Sequence, residues 1–307
     1  MAEAPASMFD RVVVILGIFE RASGSLTLGQ VSVRSGLPRS SAHRILQQLV
    51  NVRWLERVDN EYTLGLRMFE LGSLVPQRAR IGDVARPFIH ELYSRTGNVV
   101  HLAMLDGGDV VYLDKLGGAS ANALPSRVGG RLPAHCTAVG KVLLAYSPRS
   151  VIERYLANGL RGRTTASIAT ERALETALQE IRNCGYAMES DEAVPGVGCI
   201  AAPIFEFGSV VAAVSVSGNR QVPRAEEMKH RVMWAAAEIS RRSAVAPRPG
   251  AMGNLSAMFV ADLPTVPSVA AGEGDMAHGD DEAPGSPRRA ALAGPVPAPS
   301  LRQPMGA

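Results

Sequence analysis

The sequence has few lysines, few cysteines, few aromatic side chains and no long apolar run. Lysine occurs only at positions 115, 141 and 229. We take this, with the abundant alanine, as a GC-rich coding bias that excludes nothing by itself. Three cysteines, Cys136, Cys184 and Cys199, lack C-x-x-C spacing, which argues against a disulfide framework and against a zinc knuckle. A reducing cytoplasm is the expected setting. The longest early apolar run, VVVILGIF from Val12 to Phe19, is too short to span a bilayer and is followed by no small-residue cleavage site, so no membrane partner is expected. The histidines outside position 135 are scattered, and neither a metal nor another cofactor is expected.

What is present suffices for two domains. The chain has 307 residues, 46% of them hydrophobic. A net charge of +3 is too small to argue for nucleic acid, but basicity is local: Arg21 to Arg57 holds six arginines against the single acid Glu56. After Val245 the composition turns to Pro and Gly with Phe259 as the only aromatic. Such a segment cannot bury enough apolar area to offset its ordering entropy. Residues 246–307 are therefore expected to be disordered, with AMFVADL as a possible binding segment, and Met1–Ala6 to be a loose start.

From Met8 to Leu66 the pattern is helical with one hairpin, and Phe9, Val12, Val13 and Leu16 are expected to form the apolar stripe of the first helix. Thr27 and Gln30 are spaced as a capping box for a short helix that stops at Gly36, and Pro38 suits the opening of the next. In that next helix Ala42, Ile45, Leu46 and Leu49 form one buried stripe, while Ser40, His43, Arg44 and Gln47 repeat the spacing on another face without an acid. Arg39, Ser40 and Ser41 sit at its N-terminus, where free amides and the helix dipole favour phosphate. Hydroxyls and amides for phosphates, with Arg and Gln for base edges, are what a helix entering a major groove needs. The plain alternative is a solvated helix of a three-helix core. WLERVDNEYTLG then reads as a wing, with Arg57 contributing more than Asp59 or Asn60 at its acidic tip.

These segments resemble the winged helix-turn-helix of the IclR family of bacterial transcription regulators. The resemblance continues through RLPAHCTAVGKVLLA, GYAMESDEAVPGVGCIAAPIF and VVAAVSVSG, in family order over Met8 to Ala244. It departs at Arg53, where the family usually has glycine, and at Ser32, where a small alanine-like residue is usual. Arg53 is expected to add a phosphate contact, at a cost in strain if its φ is positive. The fold implied is α+β: a winged helix-turn-helix over 8–66, a linker helix over 67–80 and a GAF-like α/β effector domain over 81–245, ahead of the disordered tail. From the residues themselves, strands are expected on both sides of the turn at 106–109 and over CIAAPIF and VVAAVSVSG. Helices are expected over 137–145, 171–183 and 226–241.

The resemblance also implies a regulatory domain that binds small organic acids, with contacts from Ala138, Val139, Cys199, Ser215 and Ser217. Glu189 falls where the family often has an acid facing the pocket, and Leu124 where it has an apolar wall. Independently, HCTAVGKVLLA, beginning a helix after LPA, would aim the amides near Thr137, Ala138 and Val139 into a cavity, and Ser215 and Ser217 share one side of a strand. The plain alternatives are ordinary strand serines and a buried apolar cysteine. His135 and Cys136 invite a catalytic reading, which we set aside because chain neighbours should point apart and no acid is spaced to orient the histidine. Glu189, Asp191 and Glu192 read as a solvated turn with one acid lining the pocket. Leu66, Phe69 and Leu74 on the linker are available for packing against a second copy. The expected function is regulation of double-stranded operator DNA by a dimer or tetramer under a small-molecule effector, as repressor or activator, with no catalytic residues. The competing readings are an oligomeric DNA-binding protein without a ligand and a hydrolase built on the GAF-like domain.

Overall fold

The protein is described as a computed structural model over residues 7–22, 24–222 and 226–245. The expected loose start and the expected disordered tail, with AMFVADL, lie outside the described residues.

The first helix, α1 (Met8–Arg21), opens on a capping box in which the Ser7 hydroxyl accepts from the Asp10 amide and the Asp10 carboxylate accepts from the Ser7 amide, each at 3.1 Å. Of the expected stripe, Val12 and Leu16 pack half-buried against the core. Ile15, Ile18 and Phe19 are the residues that fill the core, whereas Phe9 and Val13 are exposed. α1 is apolar on two sides, so its pattern did not determine which side faces inward.

A two-residue strand β1 (Leu26–Thr27) leads into α2 (Leu28–Ser35), which has the expected Thr27–Gln30 box. Gly36 takes φ 68°, the left-handed turn that joins α2 to α3 (Arg39–Asn51). At Ser32 the hydroxyl donates to the Leu37 carbonyl at 2.8 Å, so the departure from alanine ties this turn down. Ala42, Ile45, Leu46 and Leu49 are buried, as their spacing requires. β2 (Leu55–Val58) and β3 (Glu61–Leu64) form the wing, and β1 joins β3 to make a three-stranded sheet.

The single linker helix expected over 67–80 is instead two helices. α4 (Leu66–Ser73) ends at Leu74, and α5 (Pro76–Thr96) starts afresh. Pro76 has no amide hydrogen to continue the ladder and pushes Val75 into an extended conformation, φ −70° and ψ 106°. α5 then runs far past the expected boundary, to Gly97 at φ 62°. The Arg80 guanidinium near its start pairs with Glu206 and donates to the Ser243 carbonyl at 3.1 Å, which locks the helix to the C-terminal domain.

That domain is a six-stranded antiparallel sheet in the order β6-β5-β4-β9-β8-β7. Its strands are β4 (Val99–Asp106), β5 (Asp109–Leu116), β6 (Arg131–Pro133), β7 (Ala187–Ser190), β8 (Val197–Glu206) and β9 (Ser209–Asn219). The expected turn at 106–109 joins β4 to β5. The short edge strands β6 and β7 were too brief to show a period. Side chains alternate across the sheet, so two cores form. Val100, Leu102, Ile200, Val214 and Val216 pack on α5 and α9 (Glu226–Val245). Ala103, Val110, Tyr112, Ala201 and Ala213 pack on α6 (Ala138–Ala145) and α8 (Glu171–Cys184), with α7 (Arg149–Ala157) adding Ile152.

Candidate functional site

Two sites emerge, one on α3 and one under the sheet. On α3, Arg39, Ser40, His43 and Arg44 are exposed, and Ser41 and Gln47 are half-buried. None of these six side chains has a hydrogen-bond or ion-pair partner among the described residues, so their donors are uncommitted. The helix opens behind Pro38 without a side-chain cap, leaving its first amides free for an anion. Gln48 and Asn51 are also exposed on this face and were missed. The signal was present, since Asn51 continues the spacing of Gln47 and Gln48 that of Arg44.

Arg53 ends α3's turn at φ 62°, and the Cβ of a side chain at Gly65 would fall 2.3 Å from its carbonyl oxygen. Its guanidinium meets Glu70 of α4 at 3.3 Å, an exposed pair. The left-handed conformation costs an L-residue about 1 kcal/mol. Arg53→Gly is therefore expected to raise thermal stability by about that amount, since the exposed ion pair it removes contributes little. A melting curve with an unchanged or lower midpoint would contradict this. Arg57 donates to the Asp59 carbonyl at 2.9 Å and to Asn60 Oδ1 at 3.2 Å, so it braces the wing tip instead of standing free at the base.

The second site is a cavity of about 40 Å³ at the N-terminus of α6. All seven positions expected for an effector line it: Leu124, Ala138, Val139, Glu189, Cys199, Ser215 and Ser217. Strand register explains the convergence. Glu189 pairs with Cys199, and Cys199 with Ser217, in one row across β7, β8 and β9. The next row brings Ser215 beside His101 of β4. The Ser217 hydroxyl donates to Cys199 Sγ at 3.1 Å and lies 3.5 Å from His101 Nδ1, while His101 Nε2 meets Ser126 Oγ at 2.9 Å. Burial, with repulsion from Lys115, lowers His101 to about 3, so the imidazole is neutral. Thr137 lines the cavity too, and His101, Tyr112 and Ser126 are lining residues that the sequence did not single out.

The cavity holds about one water and falls well short of the roughly 300 Å³ at which ligand pockets begin. Two loops border it. Leu124, Pro125 and Ser126 come from one, which Lys115 Nζ holds by donating to the carbonyls of Ala121 at 2.8 Å, Leu124 at 3.2 Å and Ser126. Ala193 and Val194 come from the other, and Val197 from the start of β8.

The acidic cluster is not a solvated turn. Glu192 forms a buried pair with Lys141 at 2.6 Å, and Asp191 accepts from Gly196 at 2.6 Å and from Arg220 at 2.9 Å. Glu189 is 5% exposed, and its carboxylate accepts from the Glu192 amide at 3.0 Å. Burial raises it to about 7. A raised acid binds more protons folded than unfolded between its ordinary 4.5 and about 7, so stability falls as pH rises through that window. Glu189→Gln should abolish this loss, worth on the order of 3 kcal/mol. Urea midpoints at pH 5 and 8 check it: the variant's should differ less than the parent's, and equal slopes would refute the assignment.

His135 and Cys136 do not point apart as expected. A 3₁₀ turn brings Cys136 Sγ to 3.3 Å from His135 Nε2, and the Tyr155 hydroxyl, not an acid, sits 2.5 Å from His135 Nδ1. Burial pushes the thiol up and the imidazole down, opposite to what a thiolate–imidazolium pair needs. Among the described residues no group of three or more His, Cys, Asp or Glu is placed to hold a metal ion. No helix among them is long and apolar enough to cross a membrane.

Known proteins resemble the chain over both of its domains. The IclR helix-turn-helix domain model matches residues 9–59, and the bacterial transcriptional regulator IclR C-terminal model matches residues 74–241. The HTH-type transcriptional regulator XynR of Escherichia coli K12 is 35% identical over 68% of this chain and 84% of its own length. The repressor AllR of Klebsiella pneumoniae is 30% identical over 71% and 81%. An IclR homolog from Microbacterium hydrocarbonoxydans, solved in complex with 4-hydroxybenzoate, superposes with TM-score 0.72 at 30% identity, covering 78% of this chain and 100% of that one. With a helix-turn-helix DNA-binding domain followed by a C-terminal α/β effector domain, the chain belongs to the IclR family of bacterial transcriptional regulators.

Proposed function

We propose that this regulator binds double-stranded operator DNA as a cytoplasmic dimer or tetramer, and that a small organic acid occupying the cavity beside α6 modulates that binding. Arg44, Gln47 and His43 read bases. Arg39, Ser40, Ser41 and Arg53 meet phosphates, with Arg57 shaping the wing. The acid's carboxylate sits at the amides of Ala138 and Val139 and at the hydroxyls of Ser215 and Ser217, between the Leu124 wall, Glu189 and Cys199. No bond is made or broken in the ligand.

One observation carries this: residues from three strands, one helix and one loop, separated by almost a hundred positions, converge on one small cavity. Self-association is supported by the exposed apolar side chains Phe9 and Val13 on α1 and Leu66, Phe69 and Leu74 near α4. Because a cavity of about 40 Å³ is too small for an aromatic or aliphatic acid, ligand entry spreads the loops at 124–126 and 193–196. That motion is the source of the signal that α5, locked by Arg80, carries toward the DNA-binding domain.

Calorimetry with a panel of small acids, 4-hydroxybenzoate included, tests the proposal. At least one should bind to one site per chain, and Ser217→Ala, which removes a cavity hydroxyl without adding bulk, should weaken it about tenfold. Absence of binding across the panel would favour the DNA-binding oligomer without a ligand.

A further inference from the structure

A second cavity of about 490 Å³ adjoins the first and shares Tyr112, Pro125, Ser126 and Leu132 with it. Its lining is of a different kind: Arg127, Arg131 and Arg163, with Asp109 and with Glu20 of α1. Arg131 is paired with Asp106. Arg127 and Arg163 have no carboxylate partner among the described residues, and each is tied to a functional element through a carbonyl. Arg163 Nε donates at 3.2 Å to the carbonyl of Ala193, in a loop that lines the effector cavity. Arg127 Nη2 donates at 2.6 Å to Glu20, in the last turn of α1, where a cation suits the helix dipole.

We propose that this cavity is a second binding site, taking an anionic group, carboxylate or phosphate, on the guanidinium groups of Arg127 and Arg163. Guanidinium forks match both anions with paired charge-assisted hydrogen bonds, which a neutral carbonyl does not equal. An anion there draws Arg127 away from Glu20 and uncaps the end of α1. Occupancy beside the effector cavity is thereby felt in the DNA-binding domain. The anion is either the second carboxylate of a diacid effector, in which case the site extends the effector cavity proposed above, or a separate small ion.

Calorimetry of the full chain with 4-hydroxybenzoate, terephthalate and inorganic phosphate separates these. Terephthalate binding at least tenfold tighter than 4-hydroxybenzoate identifies a second carboxylate, and phosphate titrating alone to one site identifies a separate ion. Either gain should vanish in Arg127→Gln and in Arg163→Gln, with thermal midpoints unchanged as the control for folding. Bound anion should also speed amide exchange in the last turn of α1. Binding of 4-hydroxybenzoate alone, or a gain that survives in both variants, overturns this proposal and leaves the effector cavity standing. Silence from all three probes overturns this proposal and counts against 4-hydroxybenzoate as an effector.

Discussion

Gly140→Ala is expected to destabilise the effector domain by about 3 kcal/mol or more, the largest effect of any small substitution in it. A Cβ at this position would lie 2.2 Å from the Ala134 carbonyl oxygen and 2.4 Å from its Cα. These are backbone atoms, and Ala134 is fully buried, so nothing nearby can swing aside. The Gly140 amide also makes the cap of α6, donating to Thr137 Oγ1 at 3.0 Å. Relief of the clash therefore means pulling α6 away from the turn that starts it, and with it the amides of Ala138 and Val139. Urea denaturation followed by a probe of the effector domain measures the effect. A loss below about 1 kcal/mol would show that the close approach of α6 to its leading turn is not needed.

Arg44→Ala is expected to lower specific operator affinity by about 1–3 kcal/mol, and to relax sequence preference at one position of each half-site. Arg44 lies mid-helix on the face opposite Ala42, Ile45, Leu46 and Leu49, with an uncommitted guanidinium. Arg39 is equally free but sits at the helix start, beside the open amides. Arg39→Ala should weaken all sequences alike and reduce the salt dependence by about one charge. Gel-shift titrations on specific and scrambled DNA at two salt concentrations distinguish the two. If neither variant departs from the parent, α3 does not read DNA.

Where a pattern was tied to one geometry, the fold could be read before the structure. The stripe Ala42, Ile45, Leu46 and Leu49 has only one inward side, and the serines at 215 and 217 only one face. Reading failed where the pattern allowed two solutions. α1 is apolar on two sides, and only packing on α2 and α3 selects Ile15, Ile18 and Phe19. The linker looked continuous because Leu66, Phe69 and Leu74 keep helical spacing, while the decisive residue, Pro76, lay near the end of the span. In the cavity, His101 escaped notice because a lone histidine in an apolar strand carries no spacing signal. Only register, which places it beside Ser215, joins it to the site. The meeting of Cys136 with His135 depends on a 3₁₀ turn that neighbouring positions do not announce.

Under the proposed function, occupancy of the α6 cavity changes the grip of α3 on DNA. The most direct test is footprinting of the parent and of Ser217→Ala on the DNA upstream of the protein's own gene, with and without an acid that binds by calorimetry. The acid should shift the protein concentration giving half protection about tenfold in the parent, and Ser217→Ala should protect the same bases with much less response. Protection indifferent to a bound acid, or a full response in the variant, would contradict it.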